Sequence, residues 1–191
     1  PFIVTVVLGI VVIVFAPPVA IALEKAGILH SYQLSRILVW KNPEAYPKSG
    51  GYQVLQGLYA IGSGGLLGKG LGQSIQKLSF LPEPQNDMIF AVICEELGLF
   101  GAVAVIFMFL FMLYRFLVIA GNAPDLFGAM IVTGVLAHIA IQVVLNIAVV
   151  TNVIPNTGIT LPFISYGLSS LISISIGIGV VLNVSMQKTS Y

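Results

Sequence analysis

Four long apolar stretches alternate with polar ground along the chain, at residues 1–23, 88–118, 126–151 and 164–186. Each approaches the roughly 20 apolar residues that a helix needs to cross hydrocarbon. The pattern therefore predicts an all-α fold, a polytopic membrane helix bundle with about four transmembrane helices in a single membrane domain. Pro17-Pro18 stands near the far end of the first stretch, where proline kinks or ends a helix. Residues 24–87 form a large loop that is too polar to span and too patterned to lack structure. Within it, residues 31–40 read as a short amphipathic helix punctuated by Tyr32, Gln33 and Arg36, with Trp40 in the style of an interfacial aromatic. Lys41-Asn42-Pro43 ends that piece and Gly50-Gly51 opens another. There Val54, Leu55, Leu58 and Ile61 fall at helical spacing, with Gln53 and Gln56 on another face. This second helix is expected to lie partly in the membrane or to re-enter it.

Composition agrees with the pattern. The chain is 58% hydrophobic and 8% charged, with mean hydropathy +1.03, where soluble domains carry roughly 25% charged residues. It is an integral membrane protein. A net charge of +1 without a basic patch gives no reason to expect a nucleic-acid partner. Cys94 is the single cysteine and lacks a neighbouring ligand cluster, which argues against an internal disulfide, redox chemistry and a zinc site. The chain opens at Pro1 inside an apolar run without a methionine and reads as part of a longer polypeptide; that run lacks the basic leader of a signal peptide.

The candidate chemistry gathers at residues 78–101. A loop braked by Pro82 and Pro84 delivers Gln85, Asn86 and Asp87 to the lip of the second apolar stretch, and Glu95-Glu96 lie inside it. Charges at the edge of hydrocarbon, and within it, are costly and mark function. Asp87 has two readings: a helix N-cap, for which Asp is suited, or a catalytic carboxylate. On a continuous helix, Glu95 would lie roughly 12 Å further along and about 80° around. That is too far for the roughly 6.5–9.5 Å of an inverting glycosidase pair, and Glu96 would face nearly the opposite way. The two glutamates are therefore expected to orient the loop, pair with a cation or tune local charge. The glycine-rich run 62–72 fails the phosphate-loop pattern, with Ser63 at the leading glycine and Gly70 after Lys69. Flexible backbone beside Lys69 leaves a phosphate contact and a plain tight turn as alternatives. His138, Gln142 and Asn146 share one helix stripe, suited either to interhelical hydrogen bonds or to a substrate or proton path. Ser169, Ser173 and Gly177 make a small-residue stripe for close helix packing.

Three segments resemble the SEDS family of bacterial membrane proteins (shape, elongation, division and sporulation), C-terminal half. They are residues 51–72, with Gly51-Tyr-Gln-Val-Leu-Gln56 and Gly65-Leu-Leu-Gly-Lys-Gly-Leu-Gly72; residues 81–98, with Pro82-Glu-Pro-Gln-Asn-Asp87 and Glu95-Glu-Leu-Gly98; and residues 142–170, with Pro155-Asn-Thr-Gly158 and Pro162-Phe-Ile-Ser-Tyr-Gly167. The resemblance implies a bacterial cell-membrane, multi-pass protein of ten helices, with residues 24–87 as its large extracytoplasmic loop. It implies a membrane glycosyltransferase of peptidoglycan biosynthesis that polymerises lipid II, and as partner a class B penicillin-binding protein, a transpeptidase. Asp87 matches the family's essential loop aspartate, and Glu95-Glu96 its Glu-Glu-Leu-Gly motif. Two departures stand out. Gln85-Asn86 replace the family's common His-Thr, and Leu168 replaces the second glycine of Tyr-Gly-Gly-Ser-Ser.

That reaction joins a sugar hydroxyl to an anomeric carbon bearing a lipid diphosphate. It needs a general base within hydrogen-bond reach of the hydroxyl, here Asp87, and positive charge on the departing phosphates. The cation candidates are Lys69 and Lys77, then Arg36. No protein metal site is assigned and no cofactor is certain; a divalent cation, Mg or Mn, is an open alternative. Candidate substrate contacts are Lys69, Lys77, Gln85, Asn86, Glu95, Glu96, Pro155, Thr157, Ser165 and Tyr166, with membrane lipids around the spans. The rival functions are a flippase for the same lipid-linked precursor, drawing on the His138 stripe, and a non-catalytic scaffold for the transpeptidase.

Overall fold

A computed structural model describes residues 18–21, 24, 27, 30–79, 81 and 83–187. Most of the expected first span, residues 1–23, lies outside these; residues 18–21 are helical. Among the described residues every regular element is helical. The order is α1 (Ser31–Lys41), α2 (Gly51–Gly64), α3 (Ile75–Ser79), α4 (Ile89–Gly121), α5 (Leu126–Val150) and α6 (Leu168–Met186). Two 3-10 turns, Pro43–Ala45 and Pro47–Ser49, join α1 to α2.

Three of these helices, α4, α5 and α6, are long and apolar enough to cross a membrane, with window hydropathies of 2.5, 2.1 and 1.9. They pack side by side in chain order. α5 starts where the Asp125 carboxylate accepts from Gly128 N at 3.0 Å, an N-cap that satisfies one of the free amides of a helix start. Its buried positions Val132, Ile139, Val143, Asn146 and Val150 form a seam against α4 and α6. The outward side of α4 carries Phe100, Phe107, Met108, Phe111, Tyr114 and Leu117, all exposed, as suits a face turned to lipid. The last helix starts four residues later than the apolar pattern suggests. Ser165 Oγ accepts from Leu161 N at 2.7 Å and holds the preceding residues in a turn.

α1 and α2 form where expected. Pro43 follows the C-cap of α1 and bars its continuation, while Gly50, at φ 98°, supplies the left-handed turn into α2. The buried face of α2 is Gly51, Val54, Gly57, Ala60 and Gly64. So small a face lets the backbone of α2 lie almost on that of α4.

A continuous helix is the expectation for the second span; α4 instead breaks at Gly98, at φ 66° and ψ −162°. Residues 89–97 make a short half-helix buried in the protein, through Phe90, Ala91, Val92, Cys94, Glu95 and Glu96. Residues 99–121 continue for about 34 Å at 1.5 Å per residue, a match to the roughly 30 Å hydrocarbon core. The break removes helical hydrogen bonds, and the glycine-rich run restores them from outside. Lys69 N and Gly70 N donate to the carbonyls of Glu95 and Glu96, each at 2.9 Å. Leu99 N and Phe100 N donate to the carbonyls of Gly65 and Leu66, at 2.9 and 3.4 Å. A β-carbon at Gly64, Gly68 or Gly98 would overlap the facing backbone, so only glycine permits this junction.

Candidate functional site

The loop bearing Asp87 is pinned by two buried apolar residues, Leu81 and Met88. Between them Asn86 N closes a turn onto Glu83 O at 3.1 Å, and Asn86 Nδ2 donates to Glu83 Oε2 at 2.6 Å. Asp87 is not a cap: Met88 holds the N-cap position of α4 and makes no side-chain cap bond. Asp87 faces a cavity of about 540 Å³. Gln53 of α2, Glu83 and Asn86 of the same loop, and Gly158, Thr160, Tyr166 and Gly167 of the α5–α6 connection complete its lining.

Three contacts assemble these walls. Gln53 Nε2 donates to Asp87 Oδ1 at 3.3 Å. Tyr166 N donates to Gln85 O at 2.8 Å. Asn146 Nδ2, from α5 below, donates to Asp87 O at 3.0 Å and to Ile159 O at 2.7 Å. Burial raises the Asp87 carboxyl above the ordinary carboxylate range, and the Glu83 charge adds to the rise. A backbone hydrogen bond, the Arg36 guanidinium and Gln53 oppose it without cancelling it.

Arg36 reaches this end of the molecule from α1. Its guanidinium donates to Asn156 O at 2.6 Å and to the Tyr32 hydroxyl, and lies 4.7 Å from the Tyr32 ring centroid. Trp40 Nε1 donates to Asn152 O at 3.1 Å. α1 is thus docked on the α5–α6 connection by an arginine and a tryptophan one turn apart.

Glu95 and Glu96 stand apart from the cavity lining. The Glu95 side chain is 0% exposed and its carboxylate accepts from Lys69 Nζ at 2.7 Å and Ser74 Oγ at 2.6 Å. Ile75 N and Gln76 N add bonds of 3.3 Å each. Glu96 pairs with Lys77 Nζ at 3.2 Å. The two lysines proposed from sequence as phosphate cations are therefore both engaged by the two glutamates. This cluster ties residues 69–77 to the half-helix whose N-terminal side carries Asp87.

Among the other residues singled out from sequence, Asn86 and Tyr166 line the Asp87 cavity. Gln85 lines a neighbouring cavity of about 320 Å³ with Lys77, Pro84, Ile89 and Val92. Pro155 is half-buried, Thr157 exposed, and Ser165 buried on Leu161 N. Five lining residues were not among the candidate site residues: Gln53, Glu83, Gly158, Thr160 and Gly167. Gln53 carried a signal, as a polar residue on an otherwise apolar helix; Thr160 carried none. The stripe divides. Asn146 is buried under the site, Gln142 Nε2 donates to Ser170 Oγ of α6 at 3.2 Å, and His138 is exposed beside a shallow groove containing Ser173 and Gly177. Among the described residues no three His, Cys, Asp or Glu side chains converge in a metal-holding group.

Residues 2–190 match the profile of the FtsW/RodA/SpoVE family, described as cell cycle proteins. The chain belongs to this family. Stage V sporulation protein E of Bacillus subtilis (strain 168) is 52% identical over 154 residues, which cover 81% of this chain and 42% of that protein. The probable peptidoglycan glycosyltransferase FtsW of the same organism is 44% identical over 181 residues, covering 95% of this chain and 45% of the relative. A chain in a solved structure, reported as "Structural coordination of polymerization and crosslinking by a peptidoglycan synthase complex", aligns with TM-score 0.64 at 31% identity, covering 93% of this chain and 48% of that one. The chain thus spans a little under half the length of these FtsW/RodA/SpoVE relatives.

Proposed function

We propose that this chain carries the catalytic aspartate of a peptidoglycan glycosyltransferase, which polymerises lipid II at the outer face of a bacterial cell membrane. Asp87 takes the proton of the acceptor's sugar hydroxyl as that oxygen attacks the donor's anomeric carbon. The bond from that carbon to the diphosphate oxygen breaks, its electron pair leaves with undecaprenyl diphosphate, and the configuration inverts. Because the diphosphate leaves as an anion, a second acid is not required.

The observation that carries this reading is Asp87 itself, a half-buried carboxyl facing a cavity of about 540 Å³ beside hydroxyl, amide and backbone groups. Burial makes it a stronger base than an exposed aspartate. Positive charge for the diphosphate falls to Arg36, because Lys69 and Lys77 are paired with Glu95 and Glu96. The relative with the glycosyltransferase name and the synthase-complex neighbour support the same reading, with a class B penicillin-binding protein as working partner. The precursor-flipping alternative draws less support. The amide of Asn146 holds backbone carbonyls, and that of Gln142 holds Ser170, so two members of the polar stripe brace the structure.

The test is lipid II polymerisation by the full-length protein with its transpeptidase partner, beside Asp87→Asn. Loss of strand synthesis with expression and folding intact is the expected result. Near-full activity in the variant overturns the assignment.

A further inference from the structure

Asn146 is 0% exposed, in the last two turns of α5. Its two amide protons go to two backbone carbonyls on opposite walls of the cavity. Asp87 O belongs to the wall that carries the carboxylate; Ile159 O lies between Gly158 and Thr160 of the facing wall. A carboxamide nitrogen has two donors, and both are used here. The amide cannot be reversed without setting Oδ1 against two carbonyl oxygens. Oδ1 itself is buried without a protein partner. As packing, the arrangement is incomplete: the amide nitrogen satisfies two carbonyls while its own oxygen is left without a partner, which is costly when buried. What asparagine supplies and leucine cannot is a fixed spacing between the two walls. Gln142 and His138, on the same stripe, make no bond to either wall.

We infer that Asn146 is the positioning residue of the site. It sets where Asp87 stands relative to Gly158–Thr160, and so aligns the carboxylate with the hydroxyl held between the walls. The inference rests on reading Asp87 as the general base. Alignment of this kind acts on turnover: a misplacement of about 1 Å can cost on the order of 100-fold in rate.

The experiment uses the full-length protein with its partner transpeptidase and lipid II, comparing Asn146→Leu, Asp87→Glu, Asp87→Asn and the double variant Asn146→Leu/Asp87→Glu. Asn146→Leu is expected to melt somewhat lower, because the carbonyls of Asp87 and Ile159 lose their donor, and to keep its KM within about threefold while kcat falls about 10- to 100-fold. Asp87→Glu displaces the carboxylate by about one methylene and lowers kcat by itself. If both changes act on carboxylate placement, the double variant falls well short of the product of the two losses. Should Asn146→Leu fail to accumulate, Asn146→Asp, which keeps the shape and loses one donor or both, takes its place with the same expectation. Full kcat in the folded Asn146 variant, or losses that multiply in the double variant, overturns the positioning role. Near-full activity in Asp87→Asn overturns the base reading instead.

Discussion

Lys69→Met is the sharpest test of how the site is held. Methionine keeps most of the apolar stem and deletes the charge, leaving the Glu95 carboxylate buried with Ser74 Oγ and two backbone amides as its remaining close donors. Removing one partner of a buried ion pair costs roughly 3–5 kcal/mol. Lys69 keeps 28% exposure of its side chain, so water reaches the cation and the low end applies, about 3 kcal/mol. Lys77→Met is the built-in control. Its pair with Glu96 is longer, at 3.2 Å, and the lysine is 40% exposed, so the surface range of about 0–1 kcal/mol holds. For a domain of this size each kcal/mol moves Tm by roughly 2–4 °C, which sets a loss of about 6–12 °C for Lys69→Met against under about 4 °C for Lys77→Met. Thermal unfolding of the purified protein in one detergent, read by intrinsic fluorescence, separates the two. Adding Glu95→Gln to Lys69→Met should recover part of the loss, since the stranded charge goes with it. If Lys69→Met melts within about 2 °C of the unaltered protein, or Lys77→Met is the worse of the two, the cluster is not the brace described above.

Other outcomes follow from the same geometry. Gly64→Ala and Gly68→Ala should disrupt the fold, since each β-carbon would overlap carbonyl backbone of α4, whereas Gly72→Ala, at φ 76° in open space, should cost only about 1–2 kcal/mol. Gly62→Ala, inside α2 with nothing near its β-carbon, should stabilise by about 0.5–1 kcal/mol, checked by the same melts. The pH dependence has a definite sign. A base works deprotonated, so kcat/KM should fall as acid protonates Asp87, with a midpoint above the ordinary carboxylate range. Gln53→Leu, which removes a bond that favours the charged form, should move that midpoint higher still. For stability the raised value runs the other way. Asp87 costs nothing below its unfolded pKa, and its ionisation weakens the fold as pH climbs through the folded value. Asp87→Asn should therefore melt higher than the unaltered protein at neutral pH and equal to it in acid.

The helices were largely legible because they announce themselves by length and hydropathy, and α1 and α2 by Pro43 and Gly50. The place of Asp87 at the lip of α4 was legible because charge at the edge of an apolar stretch is rare. The break at Gly98 was not: Leu97-Gly98-Leu99 sits in an apolar run, and a single glycine in such a run costs a helix only about 1 kcal/mol. Its cause is the approach of residues 64–70, a contact between segments about thirty positions apart that no local pattern encodes. The same distance separates Gln53 from Asp87 and hid its place in the cavity. Asn146 was placed on a polar helix stripe, yet its two acceptors are backbone carbonyls, which look alike in every sequence. Lys69 and Lys77 read as free cations because their partners, Glu95 and Glu96, reach them only through tertiary structure.

The junction at Gly98 also predicts an unusual exchange pattern. Residues 65–70 would be expected, as a glycine-rich connection, to trade their amide protons with water quickly. Lys69 N and Gly70 N are instead bonded to carbonyls of the half-helix, and Leu99 N and Phe100 N to carbonyls of the connection. None of these four protons is released unless the two strands of chain separate. In deuterated buffer they should exchange together, in one opening event, and any change that loosens Glu95 should quicken all four at once.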